Sequence, residues 1–244
     1  MILLVDAGNS LTKWRVLERG RVRGEGHLSS AGLPECASPP WGGFAVRDAV
    51  IASVAGPVLD AVLRGWLDSD RISARWLVPD FSSYGIINRY EAPERLGADR
   101  YAALIAARRM DLGDCVVVCV GTALTADALS ASGEFLGGCI APGPDWMRRA
   151  LHLGTAGVRG DGGVFTALPR DTGSAVATGA AYAMVGVVEG VRAAFPGGAD
   201  RVPVVLSGGA RSLLVGLLRA PCREVDNIVL EGLRWIAKDL GCDV

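Results

Sequence analysis

The sequence predicts an α/β protein built from two related halves. Each half opens with a buried strand pattern, residues 2–5 and 115–120, followed by a short glycine-containing turn that carries a hydroxyl side chain. Further strand patterns and mixed helix and strand patterns follow each turn. Such a turn frees backbone N–H groups and can wrap phosphate oxygens. The pair of turns therefore suggests two lobes facing one nucleotide, residues 1–113 and 114–244.

The elements follow from hydrophobic spacing and from glycine and proline punctuation. Three strands joined by short turns form a meander at the start of each half. Apolar residues at helical spacing predict the helices. The segment 79–93 is predicted to be a long loop, and the glycine-rich segment 154–163 to be mobile. Predicted strands are 1–5, 11–18, 22–28, 48–54, 74–78, 115–120, 124–129, 135–140 and 202–206; predicted helices are 57–67, 94–110, 142–151, 171–195, 210–218 and 227–240.

Composition excludes several function classes. The chain has 244 residues and a formal net charge of -1, whereas proteins that bind nucleic acid or anionic membranes generally carry a basic excess. Six cysteines without a Cys-x-x-Cys pair, and two histidines, argue against structural zinc and fit a reducing cytoplasm. Asp6 interrupts the opening apolar run too early for a signal peptide, and no stretch is expected to approach the ~20 apolar residues of a membrane span.

The segment from Asp6 to Lys13 is the first candidate site. Asp6 ends a strand, Gly8 allows backbone to approach a phosphate, and the polar side chains that follow add donors. Lys13 can meet negative charge. The alternative is a tight turn in which Asp and Asn serve only as turn formers.

Asp99 and Arg100 form the second candidate site, at the head of a helix. A carboxylate in the first helical turn is stabilised by the helix dipole, and exposed N–H groups there can hold an anion. Arg100 can clamp a substrate carboxylate in a two-pronged geometry, and Asp99 can accept a proton from an attacking hydroxyl. The alternative is that Asp99 only favours the helix start and pairs with Arg100.

Two further segments carry polar groups beside turns. Thr122 lies in the second turn, and Thr125 and Asp127 share one face of the following strand. The alternative is a hairpin with an alternating polar face. Ser207-Gly208-Gly209 joins a strand to a helix and suits contact with adenosine or phosphate, or is a plain turn.

Taken together, these motifs resemble those of the type III pantothenate kinases. Any one of them is unspecific, but the ordered set runs over nearly the whole chain. The matching segments are residues 6–10 with Lys13, Tyr90, 96–100, 121–123 with Thr125 and Asp127, 137–138, 140–143, 168–169 with Thr172, Ala175 and Gly179, 207–209 and 230–233.

The resemblance implies a fold and an activity. The fold is the acetate kinase–Hsp70–actin superfold, an α/β architecture of two ribonuclease-H-like (actin-like ATPase) lobes with mixed sheets. The activity is ATP-dependent phosphorylation of pantothenate to 4′-phosphopantothenate, the first step of coenzyme A synthesis. The resemblance also implies a cytoplasmic homodimer with its substrate pocket at the subunit interface.

Position by position, the resemblance assigns roles to residues of this chain. Asp99 is the catalytic base. The ATP-binding residues are Asp6, Ala7, Gly8, Asn9, Ser10, Leu11, Thr12, Lys13 and Thr122. The pantothenate-binding residues are Tyr90, Gly97, Ala98, Asp99, Arg100 and Thr172.

ATP and Mg²⁺ are the expected cofactors, with Asp6 and Asp127 approaching Mg²⁺ through water and no direct protein ligand. Many members carry an Asp that helps hold a monovalent cation (K⁺ or NH₄⁺) where this chain has Cys119. A thiol is a poor ligand for K⁺, so a cation site of the usual form is not expected.

Two alternative functions stay open. One is another small-molecule kinase of the same superfold, which keeps both turns but changes the Tyr90 and Thr172 contacts. The other is a non-catalytic nucleotide-binding regulator. The Asp99–Arg100 pair argues against it, because a regulator needs no base.

Overall fold

The computed structural model describes residues 1–158, 162–196, 199–219, 221–242 and 244. The chain divides into two compact units. The first comprises Met1–Met110 together with Asn227–Val244, and the second comprises Asp111–Asp226. The sequence division instead assigned residues 227–244 to the second lobe.

The described residues form twelve strands, five α-helices and four short 3-10 turns. The strands are β1 (Ile2–Ala7), β2 (Leu11–Glu18), β3 (Arg21–Ser29), β4 (Asp48–Ser53), β5 (Ser73–Trp76), β6 (Ser82–Ser83), β7 (Ile86–Asn88), β8 (Cys115–Val120), β9 (Ala123–Leu129), β10 (Glu134–Pro142), β11 (Val204–Ser207) and β12 (Cys222–Glu224). The helices are α1 (Pro57–Ser69), α2 (Ala98–Arg108), α3 (Pro144–Gly154), α4 (Thr172–Ala193) and α5 (Ile228–Asp239). Short 3-10 turns cover Ser30–Glu35, Pro93–Arg95, Ala199–Arg201 and Arg211–Leu213.

A mixed five-stranded sheet in the order β3-β2-β1-β4-β5 forms the centre of the first unit. The meander β1–β2–β3 is antiparallel, and β4 and β5 add in parallel to β1. One face of β1 and β2 packs into an apolar cluster with the segment before β4 and helix α1. Because side chains alternate along a strand, the residues between them face the opposite side of the sheet.

Helices α2 and α5 pack against each other within the first unit. A methyl group at Gly232 of α5 would overlap the carbonyl oxygen of Ala102 in α2, so the two backbones touch. Arg15 on β2 pairs with Glu231 of α5 (2.8 Å), and α5 also contacts β1 and β4. This packing places residues 227–244 in the first unit, a long-range return that the order of elements along the chain does not reveal.

The second unit repeats the strand topology of the first. Its strands lie in the order β12-β11-β8-β9-β10, with an antiparallel meander β8–β9–β10 and parallel additions of β11 and β12. The predicted duplication of mixed-sheet halves is therefore present in both order and direction of strands.

Helix α4 covers one face of the second sheet, where Met184, Val188 and Val191 join the apolar side chains of β8, β9 and β11. It is also the one helix among the described residues with the length and apolar composition to cross a membrane, with a mean hydropathy of 1.4. The expectation that no stretch approaches this composition is wrong for α4, because Gly, Ala and Val fill 15 of its 22 positions. Within the unit, 39% of its most apolar window is buried.

Several predicted elements differ from the structure. The predicted loop 79–93 contains the β6–β7 hairpin, and the helix predicted from residue 94 begins at Ala98, after a 3-10 turn. The predicted helix 210–218 is a 3-10 turn followed by further tight turns, and β12 was not predicted. Of the segment predicted to be mobile, residues 159–161 lie outside the described chain.

Candidate active site

The turn between β1 and β2 forms the first part of the site. The N–H of Gly8 donates to Leu11 O (3.1 Å), which closes the turn. Asn9, Ser10 and Leu11 are exposed, whereas the Ala7 side chain is fully buried. The chain therefore presents a short polar loop at the end of a rigid buried strand, the arrangement that phosphate-binding turns require.

Asp6 and Lys13 stand directly opposite each other on β1 and β2, so their side chains share one face of the sheet. Asp6 is only 8% exposed. Burial raises the pKa of Asp6 to about 7, Lys13 opposes this shift, and the charge of Asp99 reinforces it. Asp6, Lys13 and Asp99 thus interact electrostatically as one group, although they belong to two separate motifs in the sequence.

Thr12 faces the other side of the same sheet. Trp14 and Val16, which lie on the same face of β2 as Thr12, belong to the apolar cluster, and Thr12 itself is fully buried. Its hydroxyl lies 3.0 Å from that of Ser30. The resemblance assigned Thr12 to the residues that bind ATP. Because side chains alternate along β2, the Thr12 side chain instead points into the core.

Asp99 lies in the first turn of α2, after Gly97 at the N-cap. The N–H of Arg100 donates to Asp99 Oδ1 (2.8 Å). A Cβ at position 97 would lie 2.6 Å from that oxygen and 3.6 Å from the Val54 side chain, so Gly97 makes room for the carboxylate. Burial raises the pKa of Asp99, against the opposing N–H and charge of Arg100. A carboxylate with a raised pKa is a stronger base than an ordinary Asp.

Arg100 and Tyr90 meet beside Asp99. Arg100 is 6% exposed, its guanidinium donates to Tyr90 Oη (2.9 Å), and its Cζ lies 5.7 Å from the centre of the Tyr90 ring. The predicted proximity of these two residues is thus present in the first unit, with Ala98 buried between Gly97 and Asp99.

Sequence reasoning missed Asn88, which holds the Tyr90 segment in place. Its side chain is fully buried, donates from Nδ2 to Pro93 O (3.0 Å) and accepts from the N–H of Tyr90 (3.1 Å). An Asn two residues before Tyr90 carries no motif of its own, so only the folded chain reveals the contact.

The turn between β8 and β9 forms the corresponding part of the second unit. The N–H of Gly121 donates to Ala123 O (2.9 Å), and Thr122 is exposed. Gly143, which caps α3, donates to Thr122 O (2.9 Å), and a Cβ there would overlap Gly121 O. From the sequence, Gly143 was expected only to mark a turn. In the structure it packs directly on the second turn.

The polar side chains of the second sheet lie on the face opposite α4. Cys119 stands opposite both Thr125 and Ser207 in the strand register. The flanking residues of each strand belong to the α4 core, so parity assigns these three side chains and Asp127 to the other face. Asp127 is 1% exposed and Ser207 is 2% exposed.

Thr172 is the first residue of α4 in the second unit and is exposed. Asp171 caps this helix by accepting from the N–H of Ser174 (2.8 Å), which lowers the pKa of Asp171. The helix start is thus well ordered and presents the Thr172 side chain to solvent.

Comparison with known proteins decides the family. The family model for type III pantothenate kinases matches residues 2–194. The chain belongs to this family. A type III pantothenate kinase of Azoarcus sp. (strain BH72) is 41% identical over 97% of this chain and 90% of its own length. Another, from Aromatoleum aromaticum, is 38% identical over 98% of each chain.

Solved structures show the same fold at low sequence identity. A conserved putative Baf family transcriptional activator from Campylobacter jejuni has a TM-score of 0.69 at 20% identity, with 98% of each chain covered. A putative 2-dehydro-3-deoxygalactonokinase from Sinorhizobium meliloti has a TM-score of 0.63 at 14% identity, covering 98% of this chain and 99% of that one. MreB 5 of Spiroplasma citri has a TM-score of 0.54 at 9% identity, covering 98% and 96%. The predicted fold, two actin-like lobes with mixed sheets, is confirmed.

The donor groups of this family member fit Mg²⁺ but not K⁺. Among the described residues no three His, Cys, Asp or Glu side chains converge on one point. Asp6 nevertheless offers hard carboxylate oxygens beside the first turn, which suits an ion held chiefly by phosphates and water. Cys119, where the resemblance leads us to expect a cation-binding Asp, offers sulfur, which is a poor donor for K⁺.

Proposed function

We propose that the chain transfers the γ-phosphoryl group of ATP to the primary hydroxyl of pantothenate, giving 4′-phosphopantothenate in the first step of coenzyme A synthesis. The observation that carries this proposal is the half-buried Asp99 carboxylate in the first turn of α2, with its raised pKa, next to the Arg100–Tyr90 pair. Family membership supports the same substrate, since the relatives are named for it.

Asp99 acts as the general base. As the pantothenate hydroxyl oxygen bonds to the γ-phosphorus, the bond from phosphorus to the bridging oxygen breaks and the hydroxyl proton passes to Asp99. Phosphoryl transfer depends mainly on positioning and on charge stabilisation. The raised pKa brings the carboxylate closer to working pH, where a base is most effective.

Arg100 binds the pantothenate carboxylate. Its guanidinium is held rigidly by Tyr90, and a planar guanidinium is suited to a two-pronged pair with a carboxylate. Gly97, Ala98 and Thr172 complete the proposed acceptor contacts.

The ATP-binding segment of this proposal is residues 6–13, together with Thr122. Within it, Thr12 is buried and supports the turn from the core rather than touching the nucleotide. Lys13 supplies positive charge, and the exposed residues of the first turn supply polar groups. Mg²⁺, when bound, neutralises charge that develops on the phosphate oxygens. Asp6 would hold this ion through water, and Asp127 is the second carboxylate that the proposal assigns to it.

A coupled assay of ADP release with ATP and pantothenate tests the proposal, and Asp99→Asn is the deciding variant. Turnover is expected to fall by about 100- to 10,000-fold because the base is lost, while the thermal midpoint is retained. Asp239→Asn, at the end of α5, is the matched control and keeps wild-type turnover.

Near-normal turnover in Asp99→Asn would refute the assignment of the base. A panel of sugar and acid acceptors separates pantothenate kinase activity from that of another small-molecule kinase. The same assay with and without K⁺ or NH₄⁺ tests the Cys119 substitution, for which no stimulation is expected.

We also propose that the enzyme works as a homodimer in the cytoplasm, with Thr172 at the subunit interface. Exposed apolar side chains just before α4 and in its middle support a covered surface there: Val164, Leu168 and Tyr182. Light scattering of the purified chain gives its mass directly, and a monomer would contradict this part of the proposal.

A further inference from the structure

We propose that Ser30 is a positioning residue for nucleotide binding, acting through a buried hydrogen-bond relay from Thr12 to Ser30 to the backbone of the first turn. This inference rests on the proposed function of that turn in binding ATP. Ser30 lies 22 residues beyond Gly8, at the start of the 3-10 turn Ser30–Glu35.

The directions of the hydrogen bonds follow from which groups can donate a proton. The Ser30 hydroxyl donates to Gly8 O (2.6 Å), because a carbonyl can only accept. The 3.0 Å contact between the Thr12 and Ser30 hydroxyls must then run from Thr12 to Ser30, since the Ser30 proton is already used. Both hydroxyl residues are buried, Thr12 at 0% and Ser30 at 4% exposure.

Ser30 also binds the turn through its backbone. Its N–H donates to Ser10 O (2.9 Å), so one residue engages carbonyl groups at both ends of the Gly8–Ser10 segment. Carbonyl oxygens repel phosphate oxygens, and those of Gly8 and Ser10 are occupied by Ser30. The exposed side of the turn can therefore offer donors to an anion without rearranging, which lowers the cost of binding.

The anchor of this relay is rigid. Thr12 belongs to β2, paired with β1 and β3 on either side, and Leu33 of the 3-10 turn is fully buried in the same apolar cluster as Trp14. Loss of the Ser30 or the Thr12 hydroxyl should thus free the first turn to move, because the rigid core cannot shift to fill the gap. A purely structural role would change stability without changing affinity for nucleotide.

Calorimetric titration with the magnesium complex of AMPPNP, without pantothenate, separates these roles. Ser30→Ala is expected to raise the Kd about 5- to 30-fold, because Gly8 O and the Thr12 hydroxyl lose their partner and the released turn must be ordered again when the nucleotide binds. Thr12→Val, which keeps the side-chain shape, is expected to raise the Kd in the same direction, and the double variant should be no more than about twofold weaker than Ser30→Ala. The KM for pantothenate is expected to stay within about twofold of wild type.

Tyr101→Phe is the matched control. Tyr101 is fully buried in the same unit, and its hydroxyl donates to Asp80 (3.0 Å) and contacts Ser83 O (3.2 Å). This variant also loses a buried hydroxyl, so its thermal midpoint is expected to fall, while its Kd for the nucleotide stays at the wild-type value.

A Ser30→Ala variant with a lowered thermal midpoint and an unchanged Kd would overturn the relay. Should that variant fail to fold, an unchanged Kd in Thr12→Val would do the same. Wild-type protein that binds the nucleotide but does not phosphorylate pantothenate would refute the proposed reaction and leave the relay measured. Wild-type protein that binds no nucleotide would refute both.

Discussion

Strand parity separates the roles of neighbouring residues in the first turn region. Asp6 and Lys13 face the side of the sheet on which Asp99 acts, whereas Thr12, adjacent to Lys13, faces the core. A motif read along the sequence treats all of these as equivalent ligand contacts. The alternation of side chains along β2 divides them into residues that meet charge and a residue that supports the backbone.

At the same residue scale, the buried Asp6 gives a prediction for stability. Its pKa of about 7 in the folded chain lies above the ordinary Asp value of 3.8, so the folded state holds the proton more tightly. The resulting stability is fully present below pH 3.8 and is lost as the pH rises through 7. Asp6→Asn has no such loss. Its advantage in free energy of unfolding over wild type should therefore grow by roughly 2–3 kcal/mol between pH 5 and pH 8.

Urea unfolding of the unliganded protein at the two pH values measures this difference. Asp171→Asn is the control. The hydrogen bond from Ser174 lowers the pKa of Asp171, so this carboxylate titrates below both pH values. Its variant should differ from wild type equally at pH 5 and pH 8. A pH-independent difference for Asp6→Asn would show that the carboxylate is not held in a desolvated position.

At the scale of elements, the start of α3 and the second turn are built as one piece. Gly143→Ala would push a methyl group into Gly121 O and to 2.7 Å from Thr122 O, both backbone atoms that cannot move aside cheaply. The variant is expected to lose about 1–3 kcal/mol of stability and to show about a tenfold higher KM for ATP, because Thr122 is displaced.

Gly154→Ala supplies the matched comparison for Gly143→Ala. Gly154 ends the same helix, and a Cβ there meets no atom within 4 Å. The thermal midpoint of this variant should equal or slightly exceed that of wild type. Its KM for ATP should stay at the wild-type value. Equal behaviour of the two variants in steady-state kinetics would mean that α3 does not position the second turn.

Elements with a strong local pattern were predictable from the sequence, and those defined by distant contacts were not. The meanders and α1 have alternating or helical apolar spacing, which local sequence reports directly. The β6–β7 hairpin is too short to show a period; its turn is set by Tyr84 and Gly85, both at positive φ. In segment 210–218, Leu214 and Leu218 are buried as a helix would bury them, but tight turns achieve the same contact.

The residues of the candidate site also divide into those that the sequence predicts and those that only the folded chain reveals. Asp6, Asp99 and Arg100 sit in motifs of charged residues beside turns, so the sequence places them. Ser30 and Asn88 act through buried hydrogen bonds to backbone atoms, and residues of these types are common in loops for many reasons. Such support residues become visible only once the chain is folded.

At the scale of the whole molecule, the duplicated sheet is not matched by a duplicated chain path. Both units share one strand topology, yet the last helix returns to the first unit after the second is complete. Glu231 pairs with Arg15 and Asp239 pairs with Arg109 (2.5 Å), and Leu233 and Ile236 are fully buried. The first unit is therefore completed only by the end of the chain.

Removal of residues 227–244 is consequently expected to unfold the first unit selectively. Without α5, the surfaces of α2, β1 and β4 that it covers become exposed. The burial lost with its Ile, Val and Leu side chains is as large as the stability margin of a typical domain. Hydrogen exchange should then show lost amide protection in β1 and α2, while β8, β9 and α4 keep theirs. A chain ending at Leu240, which retains all of α5, should be protected in both units. Equal loss of protection across both units in the shorter chain would mean that the two units do not fold separately, and that the C-terminal helix stabilises them as one.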